Sequence, residues 1–467
     1  MTTLHDLSAH HLSDAFHRRT VSPVEVALAV VAHVERWEPQ LCAMWGFDPE
    51  GALAMARAAE ARWQRGQPLS ALDGVPVTIK ENIATRGVAL PLGTAASELV
   101  PAAEDAPVAA RLREAGCVFL GKTTMPDYGM LSSGLSSFHQ LARNPWNLAL
   151  NPGGSSAGAG AAAAAGYGPL HVGTDIGGSI RLPASWCGIF GLKPSNGRVP
   201  IKPPYIGRVA GPMTRTVTDA ALMMSVLSRP DWRDATSLPL QDIDWLALDG
   251  DVKGLRLGLL LDAGWGLPTD PEVRACIAEA ARRFEAAGAI VEPLAPFTKP
   301  EVPAGIDQFW RMRSWLDMSA LPEERRARVL PFIRDWVAPA AGMDAPTLFR
   351  GFSRIAELRD AAVAASQPFD FVLSPVSPVA SFPAEWAMPS NDPARAMDHI
   401  GFTLPYNMSE QPSASVPAGH TADGRPIGLQ ITGRRHDDLG VLRLSRAWEH
   451  LRAPQPAWPQ APAGATA

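Results

Sequence analysis

The chain has 467 residues, of which 46% are hydrophobic and 19% are charged, a composition that allows a large buried core. The net charge of −5 and the lack of any Lys/Arg-rich run exclude a basic surface for nucleic acid. No apolar run is long enough to predict a membrane span, and four cysteines without a C-x-x-C pair predict a reduced, cytoplasmic protein. The N-terminus has no basic patch followed by an apolar core, which predicts that there is no signal peptide.

The first part of the chain predicts helices followed by a strand–helix–strand unit. Ser22 is a good N-cap, Pro23 suits the first helical position, and Glu25 adds an early acid. Apolar residues at helical spacing continue this helix to Trp37. The further elements predicted here are a helix over 50–65, a strand over 75–79, a helix over 104–115 and a strand over 117–120.

From residue 151 onward, helices and strands alternate. A Gly/Ser loop opens an alanine-rich helix over 151–166, whose small side chains allow close packing. The pattern then predicts a strand over 169–172 broken by the Gly-rich turn 173–179, a helix over 217–227, a connector over 229–252, a strand over 255–261, a helix over 270–287, and strands over 289–291, 371–374 and 427–431. This alternation predicts an α/β architecture.

Three segments fall outside the alternation. Residues 300–350 are rich in proline, arginine and aromatic side chains, and we expect them to form irregular helices along one wall of a pocket. Residues 203–211 predict a loop that acts as a mobile lid over the site. The Pro- and Ala-rich tail, 456–467, predicts disorder.

One lysine and three serines in Gly-rich surroundings carry the strongest chemical signal. The chain has only six lysines, and Lys80 ends an apolar strand. A desolvated lysine can lose its proton, which an arginine cannot do. Ser155 and Ser156 lie in the loop 151–158, and Ser179 follows two glycines.

This set supplies what hydrolysis of an amide requires: a nucleophile, a base and donors for the oxyanion. Lys80 acts as the base if burial lowers its pKa, and Ser155 can relay the proton between Lys80 and Ser179. The turn at 173–179 predicts an oxyanion hole formed by the backbone N–H groups of Ile176, Gly177, Gly178 and Ser179. A histidine is not needed for this chemistry.

The motifs resemble the amidase signature family of serine hydrolases along nearly the whole chain. The matching stretches, in the family order, are 72–82, 121–125, 143–147, 153–158, 173–181, 187–194 and 424–431. The resemblance implies a central mixed β-sheet covered by helices on both faces. It also implies one large amidase signature domain over 1–455, with its core over 65–225.

The resemblance also implies roles for individual residues. Ser179 is the expected acyl-enzyme nucleophile, Ser155 the bridging serine after a cis peptide bond, and Lys80 the base. The residues expected to support them are Ser156, Thr174, Asp175 and Arg181. Small departures from the family pattern occur at Thr124, Asp127, Tyr128 and Ala157, and none of them changes the Lys80–Ser155–Ser179 set.

A different class of hydrolase remains an alternative. Residues 154–158 also satisfy G-x-S-x-G, the nucleophile elbow of α/β-hydrolases, which predicts an esterase with Ser156 as nucleophile and Asp398 and His420 as partners. An elbow needs an apolar strand directly before the serine. Here a Pro-Gly-Gly break precedes it, which disfavours this alternative.

Two further alternatives concern the use of the fold. Some family members are the glutamine amidotransferase subunit that acts on charged tRNA, and these typically carry glutamine after the arginine of the second Gly-rich block. Leu182 follows Arg181 here, which disfavours that function. A binding protein without activity predicts loss of Lys80 or Ser179, and both are present.

The substrate is predicted from the segments expected to form the pocket. These are apolar and aromatic with few acids, which favours a neutral, hydrophobic, aryl-bearing amide or carbamate. The pocket residues predicted by position are Met125, Tyr128, Gly129, Met130 and Leu131. We expect no metal and no cofactor, no nucleic-acid or membrane partner, and a monomer or homodimer. The arylamidase and urethanase branch of the family is the expected placement.

Overall fold

A sheet of eleven strands runs through the computed structural model, which describes residues 3–462. The strands are β1 (Met44–Trp45), β2 (Pro76–Lys80), β3 (Val118–Thr123), β4 (Leu170–Asp175), β5 (Phe190–Lys193), β6 (Val209–Thr214), β7 (Arg256–Leu259), β8 (Ile290–Pro293), β9 (Phe371–Pro375), β10 (Ser413–His420) and β11 (Pro426–Thr432). Their order across the sheet is β1-β3-β2-β4-β6-β5-β10-β11-β9-β7-β8.

The α-helices surround this sheet. They are α1 (Ala9–Arg18), α2 (Pro23–Leu41), α3 (Pro49–Gln64), α4 (Pro107–Glu114), α5 (Ala157–Ala165), α6 (Arg181–Trp186), α7 (Val217–Leu227), α8 (Pro271–Ala286), α9 (Glu301–Ser319), α10 (Glu323–Arg326), α11 (Pro331–Val337), α12 (Ala345–Ser366), α13 (Leu404–Met408) and α14 (Asp438–Leu451). Across residues 3–462, none of the helices has the length and apolar character that crossing a membrane requires.

The sheet is mixed and buried on both faces in its centre. Strand β2 pairs in parallel with β3 and β4, whereas β4 and β6 are antiparallel. Every residue of β2, β4 and β6 is buried, so helices cover both faces there. The short edge strands β1 and β8 are partly exposed. The predicted α/β class with a central mixed sheet is confirmed.

Local sequence explains how the elements nearest the site begin and pack. Helix α2 starts with a capping box, in which Ser22 Oγ accepts from the Glu25 N–H and Glu25 accepts from the Ser22 N–H. Helix α5 contains only alanine and glycine and is completely buried. A Cβ on its Gly158 would lie 2.2 Å from the Ala43 carbonyl oxygen, so the helix approaches its neighbours closely.

Two predictions for the centre of the sheet are wrong. Strand β4 does not break at Gly173 but continues to Asp175, with Gly173 opposite Gly211 of β6. Gly173 serves close packing, because a Cβ there would lie 2.8 Å from Ser156 Oγ. Residues 209–211 of the predicted lid belong to β6, and only 203–208 form a loop.

The segment 300–350 forms more regular structure than its composition predicts. Helices α9 and α12 are 19 and 22 residues long. The prolines are compatible with this because Pro303, Pro331 and Pro346 lie in the first turns of their helices, where a missing N–H costs little. The segment does contribute residues to the cavity, as described below.

The tail 456–467 is described only in part. Residues 456–462 carry no helix or strand. Within them, the Trp458 ring lies 4.3 Å from the Arg215 guanidinium and 6.1 Å from the Trp146 ring, contacts that do not fit the predicted disorder. Residues 463–467 lie outside the described residues.

Candidate active site

Lys80 lies at the carboxyl end of β2 with its amine in the protein interior. Its side chain is completely buried, with Nζ 2.8 Å from Ser155 Oγ and 2.9 Å from Thr174 Oγ1. Thr174 comes from the neighbouring strand β4, and it also accepts a hydrogen bond from Asn82 Nδ2 (3.1 Å). Adjacent parallel strands therefore bring the lysine and the threonine together.

Ser155 and Ser156 lie in the loop that leads into α5 and have different surroundings. The peptide bond between Gly154 and Ser155 is cis, as the resemblance implies, and Ser155 lines a cavity. Ser156 is completely buried, and its Oγ donates to the Thr174 carbonyl and accepts from the Thr174 N–H, both at 3.2 Å. Ser156 thus braces β4 and does not line the cavity.

Ser179 follows β4 and lines the same cavity as Ser155. Its carbonyl accepts a hydrogen bond from the Ser156 N–H (3.2 Å), which ties the two Gly-rich loops together. Within residues 3–462, no hydrogen bond joins the Ser179 hydroxyl to Ser155, so only the Lys80–Ser155 half of the predicted relay is closed. Catalytic hydrogen bonds often close only when substrate binds.

A buried ion pair holds the turn that carries Ser179. Arg181 Nε and Nη2 donate to the two carboxylate oxygens of Asp175, both at 3.0 Å. Asn407 Nδ2 also donates to Asp175 (2.8 Å), and Gln430 Oε1 accepts from Arg181 Nη1 (2.8 Å). Burial by itself would raise the pKa of Asp175, but the charge and hydrogen bonds of Arg181 outweigh it and hold that pKa well below its usual range.

The same carboxylate corrects the predicted oxyanion hole. The Gly178 N–H donates to Asp175 Oδ1 (2.8 Å) and is therefore not available to a substrate. The N–H groups of Ile176, Gly177 and Ser179 have no acceptor in the described part of the chain, and all three residues line the cavity. Three of the four predicted donors thus remain beside Ser179.

A model of a protein family described as Amidase matches residues 25–442, which is most of the chain. The chain belongs to the amidase family. It is 36% identical to one of the subunits of the glutamyl-tRNA(Gln) amidotransferase of Myxococcus xanthus, over 96% of this chain and 97% of that protein. It is 34% identical to an acylamidase of Rhodococcus erythropolis, over 96% of both.

A solved structure agrees with this placement. The amidase matches a bacterial aryl acylamidase of the amidase signature family with a TM-score of 0.88 and 31% identity, over 95% of this chain and 96% of that one. The resemblance read from the motifs is therefore confirmed, as is the amidase signature fold.

Burial sets the protonation of the lysine in this amidase. Desolvation lowers the pKa of Lys80 from 10.5 to about 7, with a further lowering by the charge of Arg208 and an opposing effect of Asp175. Burial also lowers the pKa of Lys122 and Lys193 to about 7. Lys122 donates to Thr85 Oγ1 (2.8 Å) and Lys193 to the carbonyl of Pro194 (3.0 Å), so neither contacts a serine. The contact with Ser155 distinguishes Lys80 from Lys122 and Lys193, whereas the small number of lysines in the chain does not.

The cavity of the amidase has both an apolar, aromatic part and a polar part in its wall. Four of the five predicted pocket residues line it: Tyr128, Gly129, Met130 and Leu131. Met125 does not, because it is buried behind Gly129, where a Cβ would lie 3.2 Å from Met125 Cε. The other lining residues were not predicted individually. Trp310, Arg313, Ser314 and Trp336 lie in the segment 300–350 that was predicted as a pocket wall, and Arg208 lies in the predicted lid loop. The remaining ones are Asn82, Ser132, Met388, Met397 and Ile400.

The structure does not assemble the elbow-type site. Ser156 is enclosed by the backbone of Thr174. His420 packs against Trp146, with ring centroids 5.5 Å apart, and Asp398 pairs with Arg395 at 2.8 Å. Each of the three residues that an α/β-hydrolase mechanism would need together thus has other partners, and no hydrogen bond joins them to one another within residues 3–462.

Proposed function

We propose that the amidase hydrolyses the C–N bond of amides and carbamates through an acyl- or carbamoyl-enzyme on Ser179. The observation that carries this proposal is the 2.8 Å contact between the buried Lys80 amine and Ser155, in a cavity that Ser179 also lines. A neutral amine can accept a proton, and the shift of its pKa to about 7 supplies that form at neutral pH.

The proposed proton path runs from Ser179 to Ser155 to Lys80. As Ser179 Oγ attacks the carbonyl carbon, Ser155 takes its proton and passes its own to Lys80 Nζ. The N–H groups of Ile176, Gly177 and Ser179 receive the oxyanion. The proton returns through Ser155 to the leaving nitrogen, and water then cleaves the ester bond to Ser179 by the same path.

The cavity wall supports an apolar, aryl-bearing part in the substrate. Trp310, Trp336, Met130 and Met388 provide aromatic and thioether surface around the space in front of Ser179. The relatives named acylamidase and aryl acylamidase agree with such a substrate. Whether amides or carbamates are preferred is a question for the substrate panel below.

A second candidate function is that of a glutamine amidotransferase subunit, since the Myxococcus xanthus relative belongs to a glutamyl-tRNA(Gln) amidotransferase. Glutamine would bring an α-ammonium into the cavity. The carboxylate among the lining residues is that of Asp175, and Arg181 already occupies it. The lining therefore favours amides without an ammonium group.

The test is hydrolysis of a panel by the wild type and two matched serine variants. The panel contains an acetanilide, a long-chain fatty amide, an N-aryl carbamate, an aryl ester and glutamine. We expect Ser179→Ala to lower kcat/KM on the best substrate by about 10⁴-fold or more, and Ser156→Ala to retain most of the activity. An equal loss in Ser156→Ala would contradict the proposal, and glutamine as the best substrate would favour the amidotransferase function.

A further inference from the structure

Two arginines line the cavity without a carboxylate partner in the described part of the chain. Arg208 comes directly before β6, and Arg313 lies on α9, so different parts of the fold contribute them. The Arg313 guanidinium lies 4.3 Å from the centre of the Tyr205 ring. Arg208 Nη2 donates to the Pro203 carbonyl, while its Nε is buried and has no hydrogen-bond acceptor within residues 3–462.

The two fully buried arginines of the described residues each have a carboxylate partner. Arg181 pairs with Asp175, and Arg198 pairs with Asp438, each with a carboxylate that is also buried. A partly buried guanidinium without such a partner is unfavourable, and two of them near each other repel. Burial and the charge of Arg313 both lower the pKa of Arg208.

We propose that Arg208 and Arg313 receive a carboxylate of the substrate, so that the preferred substrate is an apolar amide that ends in a carboxylate. A carboxylate in the cavity would supply the anionic partner that the two guanidinium groups lack. This inference rests on the proposed function, and it changes the neutral substrate predicted from sequence into an anionic one with an apolar body.

The rest of the cavity restricts the class of acid. An α-amino acid would need a second, anionic partner for its ammonium, and the lining offers no carboxylate apart from the paired Asp175. The apolar side chains around Trp310 and Trp336 suit an aryl or alkyl spacer between the amide and the carboxylate. The substrate class is therefore a carboxylic acid without a free amino group.

Two matched pairs of substrates test the inference. Two are needed because the carboxylate can lie in the amine part or in the acyl part of the amide. On the amine side, para-acetamidobenzoate is compared with para-acetamidoacetophenone. On the acyl side, the mono-para-nitroanilide of glutaric acid is compared with its methyl ketone analogue. Assays at pH 9 keep Lys80 neutral, so that loss of the Arg208 charge does not act through the base.

We expect the acid to exceed its ketone in kcat/KM by about 10- to 100-fold in at least one pair. Arg313→Met and Arg208→Met should each lower kcat/KM much more for the acid than for the ketone, mainly through KM. Arg350→Met, which removes an exposed arginine of α12 outside the cavity, should leave both unchanged. Added salt should weaken the preference for the acid.

Binding to the Ser179→Ala variant separates this inference from the proposed function. Calorimetry with para-acetamidobenzoate and its ketone partner measures the preference without turnover, and thermal denaturation checks that each arginine variant is folded. Equal affinity for acid and ketone, together with equal turnover in both pairs, would overturn the carboxylate site while leaving the amidase function intact. Tight, Arg313-dependent binding of the acid without hydrolysis of any substrate would support the site and contradict the proposed function.

Discussion

Replacing Lys80 by methionine is expected to remove most of the activity while making the folded protein more stable at acidic pH. Lys80 is completely buried, and desolvation lowers its pKa from 10.5 to about 7. The unfolded chain therefore binds a proton between these two pH values that the folded chain does not. Methionine has a similar length and no charge, so the variant escapes this cost of burial.

The sign and size of the effect of Lys80 on the free energy of unfolding follow from its pKa values in the unfolded and the folded chain. Above pH 10.5 the amine is neutral in both the folded and the unfolded chain, so its burial does not make the stability depend on pH. As pH falls from 10.5 to 7, only the unfolded chain binds the proton, so the folded chain is increasingly destabilised. Below pH 7 both states bind the proton, and this destabilisation stays constant. With about 1.4 kcal/mol for each unit of pKa, the full cost is about 5 kcal/mol, and about 4 kcal/mol of it appears between pH 10 and pH 6.

Loss of two hydrogen bonds offsets part of this gain. Lys80 Nζ contacts Ser155 and Thr174, and each lost contact costs about 1 kcal/mol. Lys80→Met should therefore be more stable than the wild type by about 3 kcal/mol at pH 6 and close to it, or slightly less stable, at pH 10. Its kcat/KM should fall by about 10²- to 10⁴-fold because the general base is gone.

Urea denaturation of the wild type and Lys80→Met at pH 6 and pH 10 measures the difference in stability. The pH profile of wild-type kcat/KM tests the role of Lys80 as the general base. The profile should fall about tenfold for each pH unit below 7. Lys299→Met, at an exposed lysine, is the control and should show no pH-dependent gain. A difference in stability that is the same at both pH values, or wild-type activity that is flat from pH 5 to pH 9, would refute the assignment of Lys80 as a buried neutral base.

Three further substitutions test the frame around the serines. Asp175→Asn leaves the completely buried Arg181 without its ion-pair partner and should cost about 3–5 kcal/mol; an unchanged melting temperature would contradict this. Gly158→Ala puts a methyl group 2.2 Å from a backbone oxygen and should lower the free energy of unfolding in urea by about 1–3 kcal/mol. Thr174→Val removes an acceptor that favours protonated Lys80, so the acid limb of the kcat/KM profile should move to lower pH, and kcat/KM itself should fall. A shift of the acid limb to higher pH would count against the contact between Lys80 and Thr174.

Features with a local physical cause were predictable from the sequence. The apolar run before Lys80 predicts a buried strand, because a continuous apolar run is typical of a strand covered on both faces, and every residue of β2 is buried. Helix α7 has the predicted bounds, Val217–Leu227, and the Thr216 side chain caps its first turn. The motifs also placed Lys80 and Ser155 in one site, which the 2.8 Å contact supports.

The oxyanion hole was predicted only in part, because the local sequence does not show which N–H groups are already bonded within the protein. A Gly-Gly-Ser turn predicts several free N–H groups, but it does not say which of them the protein uses itself. Asp175 lies three residues before Gly178, and a side-chain carboxylate at that spacing commonly accepts a backbone N–H. That spacing was a signal in the sequence, and it identifies Gly178 as the donor that shapes the turn while its neighbours face the cavity.

The segment 300–350 was predicted as a wall of the pocket, but which of its residues face the cavity could not be predicted in the same way, because the wall is built from segments that meet only through the fold. Strands β2 and β4 lie side by side, so their ends bring Lys80 and Thr174 together whatever surrounds them. Arg313 instead reaches the cavity because α9 packs across it, and no periodicity of 300–350 indicates that crossing. The base and the serine relay therefore depend on the sheet, whereas recognition depends on a helix and a loop that can change without moving Lys80. A shared catalytic core among amidases is for this reason a weak guide to the substrate, and the two arginines that line the cavity without a carboxylate partner in residues 3–462 are a stronger one.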